Sequence, residues 1–202
     1  MKQPSQGSTS ATRLRTLKCA AIVFCCLLNT SLSSAQKSRQ DKAWQKLVST
    51  EGRFQVLMPD TPEDRFVPVI GQIVNREMHA YFVRTPVASY VVAYADLPNV
   101  KDPRLLKKGF DDVRDGLLSN GKLRLLSEKN ITLGVFPGRE LVVDDGANVG
   151  TDRIYFVNGR LFQLLFLHPQ LGGMPDEMMK FYDGLSSKFF DSFKTDDTSA
   201  RR

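Results

Sequence analysis

Arg139 and Glu140 stand side by side in FPGRELVVDD, residues 136–145, after a Pro-Gly pair and ahead of an apolar run. Neighbouring residues of a strand point to opposite faces of its sheet. A strand launched by a turn at Pro137-Gly138 therefore separates the two charges, and they cannot act as one dyad. Arg153 is the third candidate, because Glu140 meets it across the long hairpin if the two strands align, giving an ion pair on a half-covered sheet. Arg139, Glu140 and Arg153 are thus the residues expected to bind a partner or ligand. The competing reading makes them scaffolding.

Other reactive residues are sparse. His79 and His168 fall in or beside predicted strands with no H-x-H or H-E-x-x-H spacing, so they read as ordinary sheet or loop-end histidines. His168 precedes Pro169 and is expected at a strand terminus. No G-x-S-x-G elbow is present. Asp111-Asp112 lies on the solvated side of a predicted helix with Lys108 and Asp115, and Asp144-Asp145 precedes Gly146 in a hairpin loop. Neither pair has the setting of an acid–base dyad, and DDGANVGTD lacks the spacing of a calcium loop. Gly172-Gly173 precedes a helix without the lysine or glycine pattern of a phosphate loop. The expectation is no catalytic residue, no metal and no cofactor.

The elements that position these side chains are legible. Trp44 to Ser49 and Phe54 to Met58 read as strands around Glu51-Gly52, followed by the loop PDTPED. A strand pair covers roughly Gln72 to Val83 and Ser89 to Ala95. Asp102-Pro103 starts a helix whose inner face is Leu106, Phe110, Val113 and Leu117, and Asn120-Gly121 stops it. Four strands follow, at Leu123 to Leu133, Gly138 to Asp144, Thr151 to Val157 and Arg160 to Leu167. Asn158-Gly159 marks a two-residue hairpin turn, which sets Val157 against Arg160, Tyr155 against Phe162 and Arg153 against Leu164. A final helix runs from Pro175 to Phe190 with Met178, Phe181 or Tyr182, Leu185 and Phe189 inward, and Phe190 and Phe193 help close the core. Met174, Met178 and Met179 also invite a second reading as an adaptable partner surface. Runs of strands separated by single helices predict an α+β fold with an antiparallel sheet.

Residues 1–35 read as an export signal. Arg13, Arg15 and Lys18 precede CAAIVFCCLLNTSL, and small residues end at Ser33-Ser34-Ala35, which predicts cleavage after Ala35. The apolar run is shorter than the roughly 20 residues of a membrane span, so no stable span is expected after cleavage, and the mature chain is expected to be periplasmic or secreted. Cys19, Cys25 and Cys26 all lie in this leader, so the mature chain is no disulfide scaffold. The formal charge of +6 falls to about +2 once the leader's cations are removed. With no basic stripe, nucleic-acid binding is not expected. Residues 36–43 read as a polar tether, 44–193 as one domain and 194–202 as a disordered tail.

Trp44, EGRFQVLMPDTP, the FPGRE segment, the hairpin RIYFVNGRLFQLLF and the closing FYDGLSSKFFDSF together resemble bacterial PsbP-like proteins, whose fold is shared with the P subunit of the photosystem II oxygen-evolving complex. The resemblance implies an α-β-α sandwich around a central antiparallel sheet, and an accessory rather than catalytic role. The functional expectation is an exported, non-catalytic domain that binds a protein or envelope component. The alternative is a hydrolase or small-ligand binder using a cleft between sheet and helix, near Arg139, Glu140, Arg153 or His168.

Overall fold

In the computed structural model, which describes residues 43–68, 77–97, 103–119, 121–170 and 172–196, apolar strand residues alternate onto two faces of one large sheet. The elements run β1 (Gln45–Ser49), β2 (Phe54–Met58), β3 (Glu63–Pro68), β4 (Glu77–Arg84), β5 (Ser89–Asp96) and α1 (Pro103–Leu118). They continue β6 (Arg124–Leu133), β7 (Phe136–Asp144), β8 (Asn148–Val157), β9 (Arg160–Pro169), α2 (Asp176–Asp191) and β10 (Lys194–Thr195). The predicted leader, and the tether up to Lys42, lie outside the described residues.

Among the described residues, β3-β4-β5-β9-β8-β7-β6 form a seven-stranded sheet and β1-β2-β10 a three-stranded one. Every pairing is antiparallel. The β8–β9 hairpin has the expected register, with Val157 opposite Arg160, Tyr155 opposite Phe162 and Arg153 opposite Leu164. Its turn residues Asn158 and Gly159 sit at φ 48° and 80°, the left-handed conformations that a type I′ turn requires.

One face of the large sheet packs under α1. Met78, Ala80, Ala93, Leu141, Ile154, Phe156 and Leu161 form its buried layer, joined by Phe110 and by the expected inner-face residues Leu106, Val113 and Leu117. A Cβ on Gly109 would come within 2.8 Å of Phe156 Cζ, so the missing side chain lets helix and sheet approach closely. On the other face, α2 and the small sheet cover Tyr90, Val92, Tyr94, Tyr155, Phe162, Leu164 and Phe166 with Phe54, Val56, Met58, Phe189, Phe190 and Phe193. Aromatic rings mesh edge-on here, Phe54 against Phe162 at 6.0 Å and Tyr90 against Phe189 at 5.5 Å, the geometry that ring quadrupoles favour. The fold class is α+β, with a helix layer on each side of an antiparallel sheet.

Several local expectations change. The PDTPED loop runs into a strand, β3, which pairs with β4 from Glu63 opposite Phe82 to Pro68 opposite Glu77. Charges and a proline hide it in the sequence, yet an edge strand tolerates both. The turn before β7 is Gly134-Val135, with Gly134 at φ 60°. Pro137 and Gly138 lie inside β7, opposite Thr132 and Ile131 of β6. Met178 and Phe181 are exposed, whereas Tyr182 is buried. The segment expected to fray from residue 194 instead supplies β10, where Thr195 pairs with Phe54 and is buried.

The Gly138 position is a sharp test of this packing. A Cβ there would stand 2.4 Å from the Tyr155 ring and 2.8 Å from the Ile154 carbonyl oxygen. Gly138→Ala is expected to lower stability by about 1–3 kcal/mol, read as a fall in the urea midpoint at unchanged slope. An unaltered midpoint would refute the close β7–β8 approach.

Candidate functional site

Strand alternation puts Arg139 and Glu140 on opposite faces of the sheet, each 7% exposed. Arg139 lies under α1. Its Nη1 donates to Asp111 at 2.7 Å and lies 2.7 Å from Glu128 of β6, while the guanidinium stacks 5.1 Å from the Phe110 ring. Hydrogen bonding from Arg139 holds the Asp111 carboxyl below its ordinary range. Asp111 thus turns towards the sheet, a correction to its expected place on a wholly solvated helix face. Asp112 stays with Lys108, at 2.8 Å one helical turn away.

Glu140 faces the α2 side. Arg153 Nε donates to it at 2.7 Å across the β7–β8 ladder, and Lys129 Nζ approaches its other oxygen at 2.8 Å. Burial pushes the Glu140 carboxyl up, but the hydrogen bonds from Lys129 and Arg153 outweigh it and leave a net downward shift. The Arg153 guanidinium lies 4.3 Å from the Phe190 ring, so it also joins the sheet to α2. The predicted Glu140–Arg153 contact is therefore present, and Arg139 stands apart from it on the other side.

The histidines also separate. His168 stacks on Tyr182 at 4.3 Å, and its Nδ1 lies 3.0 Å from the Pro169 carbonyl oxygen. His79, on β4, bridges Asp64 of β3 and Tyr94 of β5. Among the described residues, no group of three or more His, Cys, Asp or Glu side chains converges as a metal site. A groove of about 220 Å³ lies at one end of β3, β4 and β5, lined by Glu63, Arg65, Phe82, Arg84, Ser89 and Tyr90 among others. Arg139, Glu140, Arg153 and His168 do not line this groove.

Sequence reasoning missed Asp152. It sits on β8 between Leu141 and Leu165, with 0% exposure, and accepts one hydrogen bond, from Gln163 Nε2 at 2.6 Å. Its Oδ1 has no partner. Burial pushes its carboxyl up to about 7, against a smaller downward pull from Gln163. The available signal was parity: Asp152 shares its strand face with Ile154 and Phe156, both core residues.

This acid gives stability a definite pH dependence. With a folded value near 7 and an unfolded value of roughly 3.9, the folded chain binds the extra proton between them. Its contribution is complete below the unfolded value and disappears as pH rises through the folded one, a loss on the order of 4 kcal/mol. Asp152→Asn keeps an acceptor for Gln163 and is expected to flatten this decline in urea titrations between pH 5 and pH 8. An equal decline in both proteins would show that Asp152 does not cause it. The depressed carboxyls Asp111 and Glu140 act in the other direction, contributing above their unfolded values and losing that contribution in acid.

No known family profile matches the chain, and a search of curated proteins finds no significant relative. Solved structures do match. The solution structure of cyanobacterial PsbP (CyanoP) from Synechocystis sp. PCC 6803 aligns with a TM-score of 0.54 at 11% identity, covering 76% of this chain and 93% of that one. The Ran-binding protein Mog1p of Saccharomyces cerevisiae aligns at 0.45 and 16% identity, covering 78% and 98% of the two chains. A Pseudomonas aeruginosa protein of unknown function, PA94, described as a putative regulator, aligns at 0.38 and 9% identity over 71% and 94%. The described architecture and the alignment with cyanobacterial PsbP together assign the chain the PsbP-like fold.

Proposed function

We propose that this chain is an exported, non-catalytic accessory domain that recognises a protein or envelope component on the α2 side of its sheet. The observation that carries the reading is the state of Arg153. Its guanidinium is fixed between Glu140 and the Phe190 ring, yet the side chain stays 28% exposed, beside a Lys129 that is 64% exposed. An arginine already held in one rotamer loses little entropy when a partner meets it, and arginine is enriched among residues that dominate binding energy. The leader motif and the near-neutral mature charge support export and argue against a polyanionic partner. On α2, Met178, Met179 and Phe181 leave large apolar side chains exposed, an adaptable surface of the kind methionine provides. Among the described residues, no helix is long and apolar enough to cross a membrane.

Arg139 serves a different purpose, since its burial and its Asp111 and Glu128 partners make it a tie between α1 and the sheet. Its reversal would test folding rather than recognition.

The experiment is expression in an exporting host, light crosslinking and mass spectrometry of whatever co-purifies with the processed chain. One component in near-stoichiometric amount is expected, with recovery reduced about tenfold or more by Met178→Ser/Phe181→Ser, changes at exposed side chains expected to leave the urea midpoint nearly in place. Recovery of no component, or of one indifferent to Met178→Ser/Phe181→Ser, would overturn the proposal.

A further inference from the structure

A cluster of titratable side chains outside the β7–β8 ion pairs lies where the edge strand β3 meets β4 and β5. His79 projects from β4 with its ring between two hydrogen-bond partners. Nε2 meets Asp64 Oδ1 of β3, and Nδ1 lies 2.9 Å from the Tyr94 hydroxyl of β5. The imidazole stacks on Phe66 of β3 at 4.7 Å and on Tyr81 of β4 at 4.9 Å. One side chain therefore connects three strands.

β3 has little else to hold it. Among the described residues it pairs only with β4. Phe66 is 65% exposed, and Glu63, Asp64 and Arg65 are exposed as well. Arg65 is neutralised by Glu63 and lies 5.7 Å from the Phe82 ring, while Val67 packs against the α1-side core. An edge strand with few buried contacts belongs to the part of a fold that opens locally at low free energy.

Proton placement in this chain of groups is constrained. Burial pushes the Tyr94 phenol up to about 12, so near neutral pH it keeps its proton and donates it to His79 Nδ1. The neutral ring then carries its hydrogen on Nε2 and offers it to Asp64. When the ring gains a proton, Nδ1 becomes a donor, and the Tyr94 hydroxyl must turn to accept from it. The turned hydroxyl then donates to Ser49 Oγ, a hydrogen-bond partner of Tyr94 that also lies 3.3 Å from the Tyr81 hydroxyl. The contact with Asp64 changes at the same step from a neutral hydrogen bond to a charge-assisted one, roughly twice as strong in kind.

We infer that His79 is a proton-operated latch on β3, closed by protonation through its ion pair with Asp64 and loosened when the ring is neutral. Among the described residues, polar and charged groups face this cluster from several strands. Asp64 stands on β3, Tyr81 on β4, Tyr94 on β5, Ser49 and Glu51 at the β1–β2 turn, and Arg160 on β9. Arg160 opposes a second positive charge near Tyr94, whose ring it covers at 4.9 Å, but Asp96 binds it through two hydrogen bonds of 2.6 and 2.9 Å and offsets it. Among the described residues, Asp64 is the carboxylate that contacts the ring, and Glu51 acts at longer range through Tyr94. Phe66 and Tyr81 stack against the imidazole at 4.7 and 4.9 Å and fix its plane. Release of β3 uncovers the pairing edge of β4, so the latch controls whether that edge is available.

Native-state hydrogen exchange on the full chain tests this, with β3 amides read against those of β8 and β9 and corrected for intrinsic rates. The internal reference matters because Asp152 also makes the whole fold more stable towards acid. The protection ratio of residues 64–67 is expected to rise about five- to tenfold from pH 8 to pH 5, the range in which histidine changes charge. Asp64→Asn, at an exposed side chain, is expected to abolish the rise, and His79→Phe to hold β3 at the weakly protected level throughout. A ratio that does not change with pH, or one that rises equally in Asp64→Asn, overturns the latch. Asp64→Asn decides the matter even if His79→Phe fails to fold.

Discussion

A sheet buried on both faces is the constraint from which the rest of this structure follows. Each central strand must supply two cores by simple alternation, and any charged residue in it must find a partner before the covering layer closes. β7 shows both demands in successive residues. Arg139 goes under α1 and is met there by Asp111 and Glu128, while Glu140 goes towards α2 and is met by Arg153 and Lys129. Removing one partner from such a group costs far more than the pair contributes, since it leaves a buried charge alone. The ion pairs therefore fix which helix lies on which face more than they add to net stability.

The small sheet is held to the large one by the same kind of contact. Arg160 of β9 spans Asp96 of β5 and the Glu51 carbonyl oxygen in the β1–β2 turn, 2.7 Å away, with its guanidinium over Tyr94. Ser192, just past α2, accepts a hydrogen bond from the Leu57 backbone N–H at 2.8 Å and donates to the Phe189 carbonyl oxygen at 2.7 Å. Helix end and small sheet are thus positioned together, and the aromatic layer of Phe54, Phe162, Phe189 and Phe193 fills the space between them. Directional polar ties set the geometry here, and ring burial supplies most of the free energy.

What the sequence made legible was whatever rests on local chemistry. Asn158-Gly159 specifies a turn by backbone conformation alone, and the turn fixes every pair in β8–β9, including Arg153 opposite Leu164. Period-two alternation then separates Arg139 from Glu140 with no further information. What stayed hidden depends on distant residues. β3 has no apolar alternation because an edge strand shows its charges to solvent, and without β3 the Asp64 partner of His79 is invisible. Asp111 looked solvated because the helix pattern shows an apolar side but not which polar residue flanks it close enough to reach Arg139. Met178 lost its expected core place because Tyr182, Phe189 and Phe190 turn the inner face of α2.

Asp152 breaks the pattern that the other charges obey. Arg139, Glu140 and Arg160 each meet two oppositely charged or polar groups, whereas Asp152 is 0% exposed with a single amide donor and an oxygen that has no partner. A carboxylate so placed loses its hydration without recovering the interaction energy, so the neutral acid is favoured and the cost shifts to ionisation. Valine or leucine would fill the position without that liability, and isosteric apolar replacement of buried polar groups is often neutral or stabilising. Local consistency elsewhere in the strand makes the exception more informative, since sequences break such rules mainly at strained or functional positions. Asp152 thus places a neutral acid on the α1 side of a sheet whose buried charges Arg139, Glu140 and Arg160 each tie neighbouring elements together.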